Sequence, residues 1–469
     1  MSNKSKLSKK WIFVIFLMII FVGLLIYAVS KSPEDSGFAN GIIPNSTLLL
    51  VAGLLLSIPL LLLAMILVLK YVKGGEKRTV NATFSGDFEA DPIAVATVRG
   101  GSGGSEEVPS GERFCMLSEI DRKRGSYGSA RYDKGVSLKE FCEEFRSYAS
   151  NRLRLYYDIE DIRRFIAGMA VSKIIILQGM SGTGKTSLAH AFGSFIENSS
   201  TIIPVQPMWK ERTDLIGYYN EFTKRFNETL LLEKMYEANY SSDIYITVLD
   251  EMNIARVEYY FAEFLSLLEL PNPKERFLDV VPDVWDNDPE QLVDGRIQLP
   301  NNMWFIGTAN NDDSTFAISD KVYDRAMVLN LDSKCERFVA PPTGNLHVSA
   351  TQFEEMVADA IKEYDVSHRN RKRLELLDKY LIDHFHITFG NRIMKQIRTY
   401  IPVYISCGGD ELCALDDILA KKVMRKLETQ NPIYLRNSAE GLIGYLDELF
   451  GKDKMTLCKE YIRRIERTA

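Results

Sequence analysis

Apolar positions along this chain change their spacing three times, and each regime predicts a different kind of element. Residues 11–29 and 48–69 are apolar runs without a charge. At 1.5 Å per residue each would span about 30 Å, one hydrocarbon core, so both are read as transmembrane helices. A cleaved signal peptide is the alternative for the first, although its run is longer than such segments usually are. Lys4, Lys6, Lys9 and Lys10 precede the first run, Lys70, Lys73, Lys77 and Arg78 follow the second, and only Lys31 lies between. This basic bias places both flanks on the cytoplasmic side of a cell membrane, making a multi-pass anchor. Residues 73–135 turn to Gly, Ser and charge, the composition of a flexible tether. Beyond them, short apolar runs (174–177, 244–249 and 303–306) alternate with stretches of helical period (137–152, 159–170 and 187–196). That alternation predicts an α/β fold around a parallel sheet. After Arg325 the period is mostly helical: 351–363, 371–384, 392–401, 415–427 and 441–449.

The resulting organisation is a basic tail (1–10), two spans (11–29 and 48–72) around an external loop (30–47), and the tether (73–135). An α/β domain (136–340) and a helical domain (341–469) follow.

The chemistry concentrates at the ends of the apolar runs. Gly179, Met180, Ser181, Gly182, Thr183, Gly184, Lys185 and Thr186 read GMSGTGKT, with Ser187 next. The pattern G-x-x-x-x-G-K-[ST] wraps phosphates with backbone N–H groups, and a strand before it with a helix after it is the context it needs. Lys185 would reach the β- and γ-phosphates, and the Thr186 hydroxyl would hold Mg²⁺. The run 244–249 ends in Asp250-Glu251. Asp250 is the expected metal ligand and Glu251 the group that polarises an attacking water. Capping of the next helix is the alternative reading of that pair. The run 303–306 leads to Gly307, Thr308, Ala309 and Asn310, where Asn310 would orient the water or make a local turn. Arg325 stands just ahead of a further apolar strand; a solvated or paired surface arginine is one reading, and one that reaches a neighbouring subunit's γ-phosphate to supply transition-state charge is the other.

In this order the motifs resemble those of the AAA+ ATPases, over roughly residues 156–398. The resemblance implies a P-loop core with a C-terminal helical lid, and ATP hydrolysis with Mg²⁺ in a ring of copies, a hexamer in the family. The segment DEMNIARVEYYFAEFLSLLE from Asp250 is similar to the McrB/MoxR-like branch. VQPMWKERTDLIGYYN (205–220) and LVDGRIQLPNN suggest that branch's helix-2 insert and pre-sensor hairpin. Within it GTP is a possible alternative to ATP. Asn310 would be the sensor-1 residue and Arg392, in FGNRIMKQI, the sensor-2 residue; the arginine finger is open between Arg325 and Arg256. The implied role is remodelling or translocating a partner with a separate effector, as a McrB-like defence component or a MoxR-like chaperone. A nucleotide-gated scaffold with little turnover is the competing class.

Composition prunes rather than adds. A net charge of −6 leaves no electrostatic footprint for nucleic acid, so contact with it is expected only through a partner. The six cysteines form no C-x-x-C pair and read as reduced thiols. No H-E-x-x-H sequence is present, which sets aside zinc-dependent proteolysis in cis.

Overall fold

A computed structural model describes residues 112–127, 131–310, 315–332 and 335–468. Helices α1 (Met116–Lys123), α2 (Leu138–Leu153) and α3 (Ile159–Val171) lead into strand β1 (Ile174–Gly179). Helix α2 opens with a reciprocal capping box between Ser137 and Glu140, and Asp158 caps α3 through the Glu160 N–H. Next come α4 (Lys185–Phe195), β2 (Thr201–Pro204), α5 (Thr213–Ile216), β3 (Gly217–Asn220), β4 (Arg225–Glu228), α6 (Leu230–Ala238) and β5 (Tyr245–Asp250). The chain continues through α7 (Val257–Tyr260), α8 (Ala262–Glu269), β6 (Phe277–Asp279), β7 (Leu292–Val293) and β8 (Arg296–Gln298). It returns to the centre with β9 (Met303–Asn310), α9 (Asp320–Tyr323) and β10 (Met327–Asn330).

The main sheet has the order β10-β1-β9-β5-β2, every pair parallel. Its central strands are buried on both faces, which is why they read as unbroken apolar runs. Because β9 lies between β1 and β5, the carboxyl ends of all three converge, with Gly179 level with Asn310 and Leu249 level with Gly307. Two antiparallel additions leave this frame: the β3–β4 hairpin between α5 and α6, and the β6-β8-β7 sheet before β9. The first begins within the segment 205–220, and β7 and β8 of the second lie within LVDGRIQLPNN.

One face of the sheet is covered by α2, α3 and α4 through Phe141, Phe145, Phe165, Phe192 and Phe195, packed largely edge to face. The other face buries Phe261 and Phe264 against Phe305. Helices α10 (Ala350–Glu363), α11 (His368–Phe385), α12 (Gly390–Ser406), α13 (Glu411–Lys422), α14 (Pro432–Phe450) and α15 (Thr456–Thr468) complete the fold. The helical region shares a core with the α/β part. Arg163 of α3 donates to the Cys407 carbonyl at 3.1 Å, and Tyr404 of α12 reaches Glu160.

Two expectations are overturned. The first is the transmembrane hairpin, with its placement in a cell membrane: no helix among the described residues is long and apolar enough to cross a bilayer. The runs 11–29 and 48–69 that suggested it lie outside the described residues. The second is the extent of the tether over 73–135, because α1 lies inside it. The Glu228 carboxylate accepts the N–H groups of Cys115, Met116 and Leu117 at 2.8–3.0 Å, closing the N-terminus of α1. Arg113, buried, bonds Asp283 at 2.9 Å and Asp288 at 2.6 Å and lies 4.6 Å from the Trp285 ring. Each of these partners is more than 100 residues away, beyond the reach of any local pattern.

Candidate functional site

The phosphate loop connects β1 to α4 through three left-handed glycines, Gly179 (φ 146°), Gly182 (φ 80°) and Gly184 (φ 90°). Gly179 is also a packing requirement, because a Cβ there would lie 2.5 Å from the Leu331 carbonyl oxygen. Lys185 is buried, and its ammonium donates to the carbonyls of Gly179 at 3.0 Å and Met180 at 2.7 Å. Thr183 donates to the Met180 carbonyl at 3.0 Å, so the loop is braced from within. From outside, the buried Tyr157 donates its hydroxyl to the Gly184 carbonyl at 3.1 Å. Met180 and Ser181 are exposed at the tip.

Beside the loop, Thr186 donates to Asp250 Oδ1 at 2.8 Å, bringing together the two residues expected to hold a metal. Thr308 of β9 donates to the same oxygen at 2.8 Å and accepts the Glu251 N–H at 2.9 Å. Glu251 is exposed and left-handed (φ 53°), so its side chain stands clear of the strand that delivers it. Asn253 is buried and donates to the carbonyls of Asn310 at 3.0 Å and Phe316 at 3.3 Å, while its Oδ1 accepts the Asn310 N–H at 3.4 Å. The tips of β5 and β9 are thereby tied together, and Asn310 is held at the level of the phosphate loop. The Thr186 hydroxyl in the first turn of α4 and the Asp250 carboxylate at the end of β5 are hard oxygen donors that fit Mg²⁺, and the Gly-rich cradle fits a polyphosphate.

Arg325 and Arg392 are elsewhere. Arg325 precedes β10, at the amino edge of the sheet, and its carbonyl accepts the Ser172 hydroxyl at 2.8 Å. The six residues of β1 put about 20 Å between that edge and the loop. Both guanidiniums converge on Glu269 at the end of α8: Arg325 bonds Oε2 at 2.7 Å and Arg392 bonds Oε1. The hydrogen bond from Arg325 holds the Glu269 carboxyl below its usual range, against some desolvation, and Glu269 raises Arg325 in return. Arg256, the other finger candidate, is exposed and lies 5.2 Å from the Phe316 ring.

Thr308, Tyr157 and Glu269 escaped sequence reasoning, and Asn253 entered it only as part of the segment that begins at Asp250. A polar residue at a strand tip was the available signal for Thr308, two positions before Asn310. Also missed was a cleft of about 470 Å³ at the carboxyl ends of β1, β9 and β10, lined by Gln178, Asn310 and Asp332 and by Arg425 and Arg464 of the helical region.

Residues 174–326 match the family model described as AAA domain (dynein-related subfamily). No curated protein matches the chain. Among solved structures, a protein assigned as an ATPase from Cytophaga hutchinsonii aligns at 13% identity with a TM-score of 0.41, covering 71% of this chain and 93% of that one. A full-length MCM homolog from Methanopyrus kandleri aligns at 13% identity and a TM-score of 0.33, covering 60% of this chain and 58% of that one. With a braced phosphate loop, an acidic strand end and the match over 174–326, this chain carries an AAA domain of the dynein-related subfamily.

Proposed function

We propose that this chain is a Mg²⁺-dependent nucleoside triphosphatase whose site is completed by a neighbouring copy of itself. One observation carries the reading: Lys185, Thr186, Asp250, Glu251 and Asn310 meet at the carboxyl edge of the sheet, whereas Arg325 and Arg392 share Glu269 near the amino edge. Two cations that far from their own loop act on a phosphate only in trans, which calls for a closed ring, hexameric by the AAA+ resemblance.

In this reading the loop from Gly179 to Ser187 cradles the phosphates of ATP or GTP, and Lys185 exchanges its carbonyl partners for phosphate oxygens. Thr186 and Asp250 would hold Mg²⁺, which would supply positive charge against the phosphates. Glu251 takes a proton from the attacking water while Asn310 fixes the water's direction. Arg325, with Arg392 beside it, then stabilises charge on the transferred group in the next subunit. The work drives remodelling or translocation of a partner protein, alone or with a separate effector, as in the McrB/MoxR-like branch. The fully exposed Phe222 at the tip of the β3–β4 hairpin supports a surface that engages such a partner.

The test is steady-state hydrolysis of Mg-ATP and Mg-GTP by the full chain beside Glu251→Gln. The variant should bind nucleotide normally and turn over at least about 100-fold more slowly. Equal rates in the two proteins would exchange this reading for a nucleotide-gated scaffold.

A further inference from the structure

The turn that presents Arg325 is held from the helical region. Lys422, the last residue of α13, is 4% exposed. Its ammonium donates to the carbonyl oxygens of Tyr323 at 2.7 Å, Asp324 at 3.3 Å and Ala326. Gln396 of α12 adds a bond to the Asp324 carbonyl at 3.2 Å. Arg425 bonds Asp320 at 2.7 Å and lies 3.4 Å from the Tyr323 ring. On its other side Tyr323 donates its hydroxyl at 3.2 Å to Gln178, the residue before the phosphate loop.

An ammonium has three N–H bonds, and here three carbonyls flanking one arginine surround it. A cation this deeply buried is costly unless its hydrogen bonds are made. An apolar side chain would fill the same space without that cost, so packing alone does not account for a lysine. A helix-terminal lysine ordinarily serves its own helix's last carbonyls; Lys422 instead crosses to the α9–β10 turn. Resting on the reading of Arg325 as the group that acts on a neighbouring copy, we propose that Lys422 is the positioning residue for Arg325, through which the helical region sets where that guanidinium points. The turn is then clamped between the base of the subunit's own phosphate loop, through Gln178, and its helical region, through Lys422.

The experiment is a double-mutant cycle on the assembled full-length protein, reading kcat and KM for Mg-ATP in wild type, Lys422→Met, Arg325→Ala and the double variant. Lys422→Met should lose at least about tenfold in kcat. Its KM should stay within about twofold, because the nucleotide's own loop is untouched. The double variant should be no slower than Arg325→Ala, since both changes remove one interaction. Wild-type kcat in Lys422→Met, or losses that multiply in the double variant, overturns the inference. If Lys422→Met fails to fold, Gln396→Ala enters the same cycle: a loss that does not multiply with Arg325→Ala supports it, and no loss or a multiplying one overturns it. Wild-type protein no faster than Glu251→Gln would remove the hydrolytic reading and this role together; active wild type with an unaffected Lys422→Met removes this role alone.

Discussion

Thr308 donates a 2.8 Å hydrogen bond to Asp250 Oδ1, the oxygen that also accepts from Thr186. Through the same hydroxyl Thr308 accepts the Glu251 N–H, so one buried side chain holds the Asp250 carboxylate and the backbone that presents Glu251. Thr308→Val preserves volume and removes both bonds. A hydrogen bond to a charged group contributes about 1.5–3 kcal/mol, so turnover should fall about 10- to 100-fold. Nucleotide affinity should change little. Steady-state kinetics beside a nucleotide titration checks this; unchanged turnover would make the two bonds purely structural.

Arg325 and Lys185 lie at opposite edges of the sheet, and that separation predicts complementation. Arg325→Ala should lose at least about 10³-fold in turnover. Lys185→Ala should lose nucleotide binding. Mixed and allowed to exchange subunits, the two inactive proteins should regain measurable hydrolysis at interfaces pairing an intact loop with an intact arginine. A mixture that stays silent while exchange is verified would place the action of Arg325 within its own subunit.

Asn253 makes three hydrogen bonds to backbone groups of Asn310 and Phe316 from a buried position. Asn253→Ala strands them and should cost about 1–3 kcal/mol of stability, read as a lowered denaturation midpoint. Asn310→Ala, at a half-buried tip, should leave the midpoint nearly in place and lose turnover instead. The pair separates the residue that builds the site from the one that faces the substrate.

Burial pushes the Lys422 ammonium down to about 7, and Arg425, Arg392 and Lys426 push the same way against Asp324. The unfolded chain therefore binds the Lys422 proton more tightly than the folded one between about pH 7 and the ordinary lysine range. Stability rises with pH wherever the unfolded state holds more protons. The wild-type protein should accordingly gain stability relative to Lys422→Met as pH increases from about 7 toward 10. The comparison must be made against the variant, because Lys173, pushed by burial to about 8, contributes with the same sign. Thermal midpoints of the two proteins across that range check the sign; parallel curves would mean that Lys422 titrates normally. Catalysis should move the other way, because a neutral amine has two N–H bonds for three carbonyls.

The strands β1, β5, β9 and β10 were legible in the amino-acid order because burial on both faces leaves an unbroken apolar signature. The phosphate loop was legible because its glycines and Lys185 serve chemistry that is local in the chain. Helices α1 and α15 were not: α1 depends on Glu228, and α15 on Asp416, which accepts the Leu457 and Cys458 N–H groups at 2.8 Å. Neither partner is a neighbour in sequence.

Local order of residues was therefore enough to specify a phosphate cradle, an acidic strand end and a parallel sheet, since each is written within ten or so consecutive positions. It could not say that Thr308 braces Asp250, that Arg325 and Arg392 meet on Glu269 away from their own loop, or that Lys422 holds the turn that carries Arg325. Those relations follow from strand register and from the way parallel crossovers send loop and arginines to opposite sheet edges, and they exist only once distant segments are packed together.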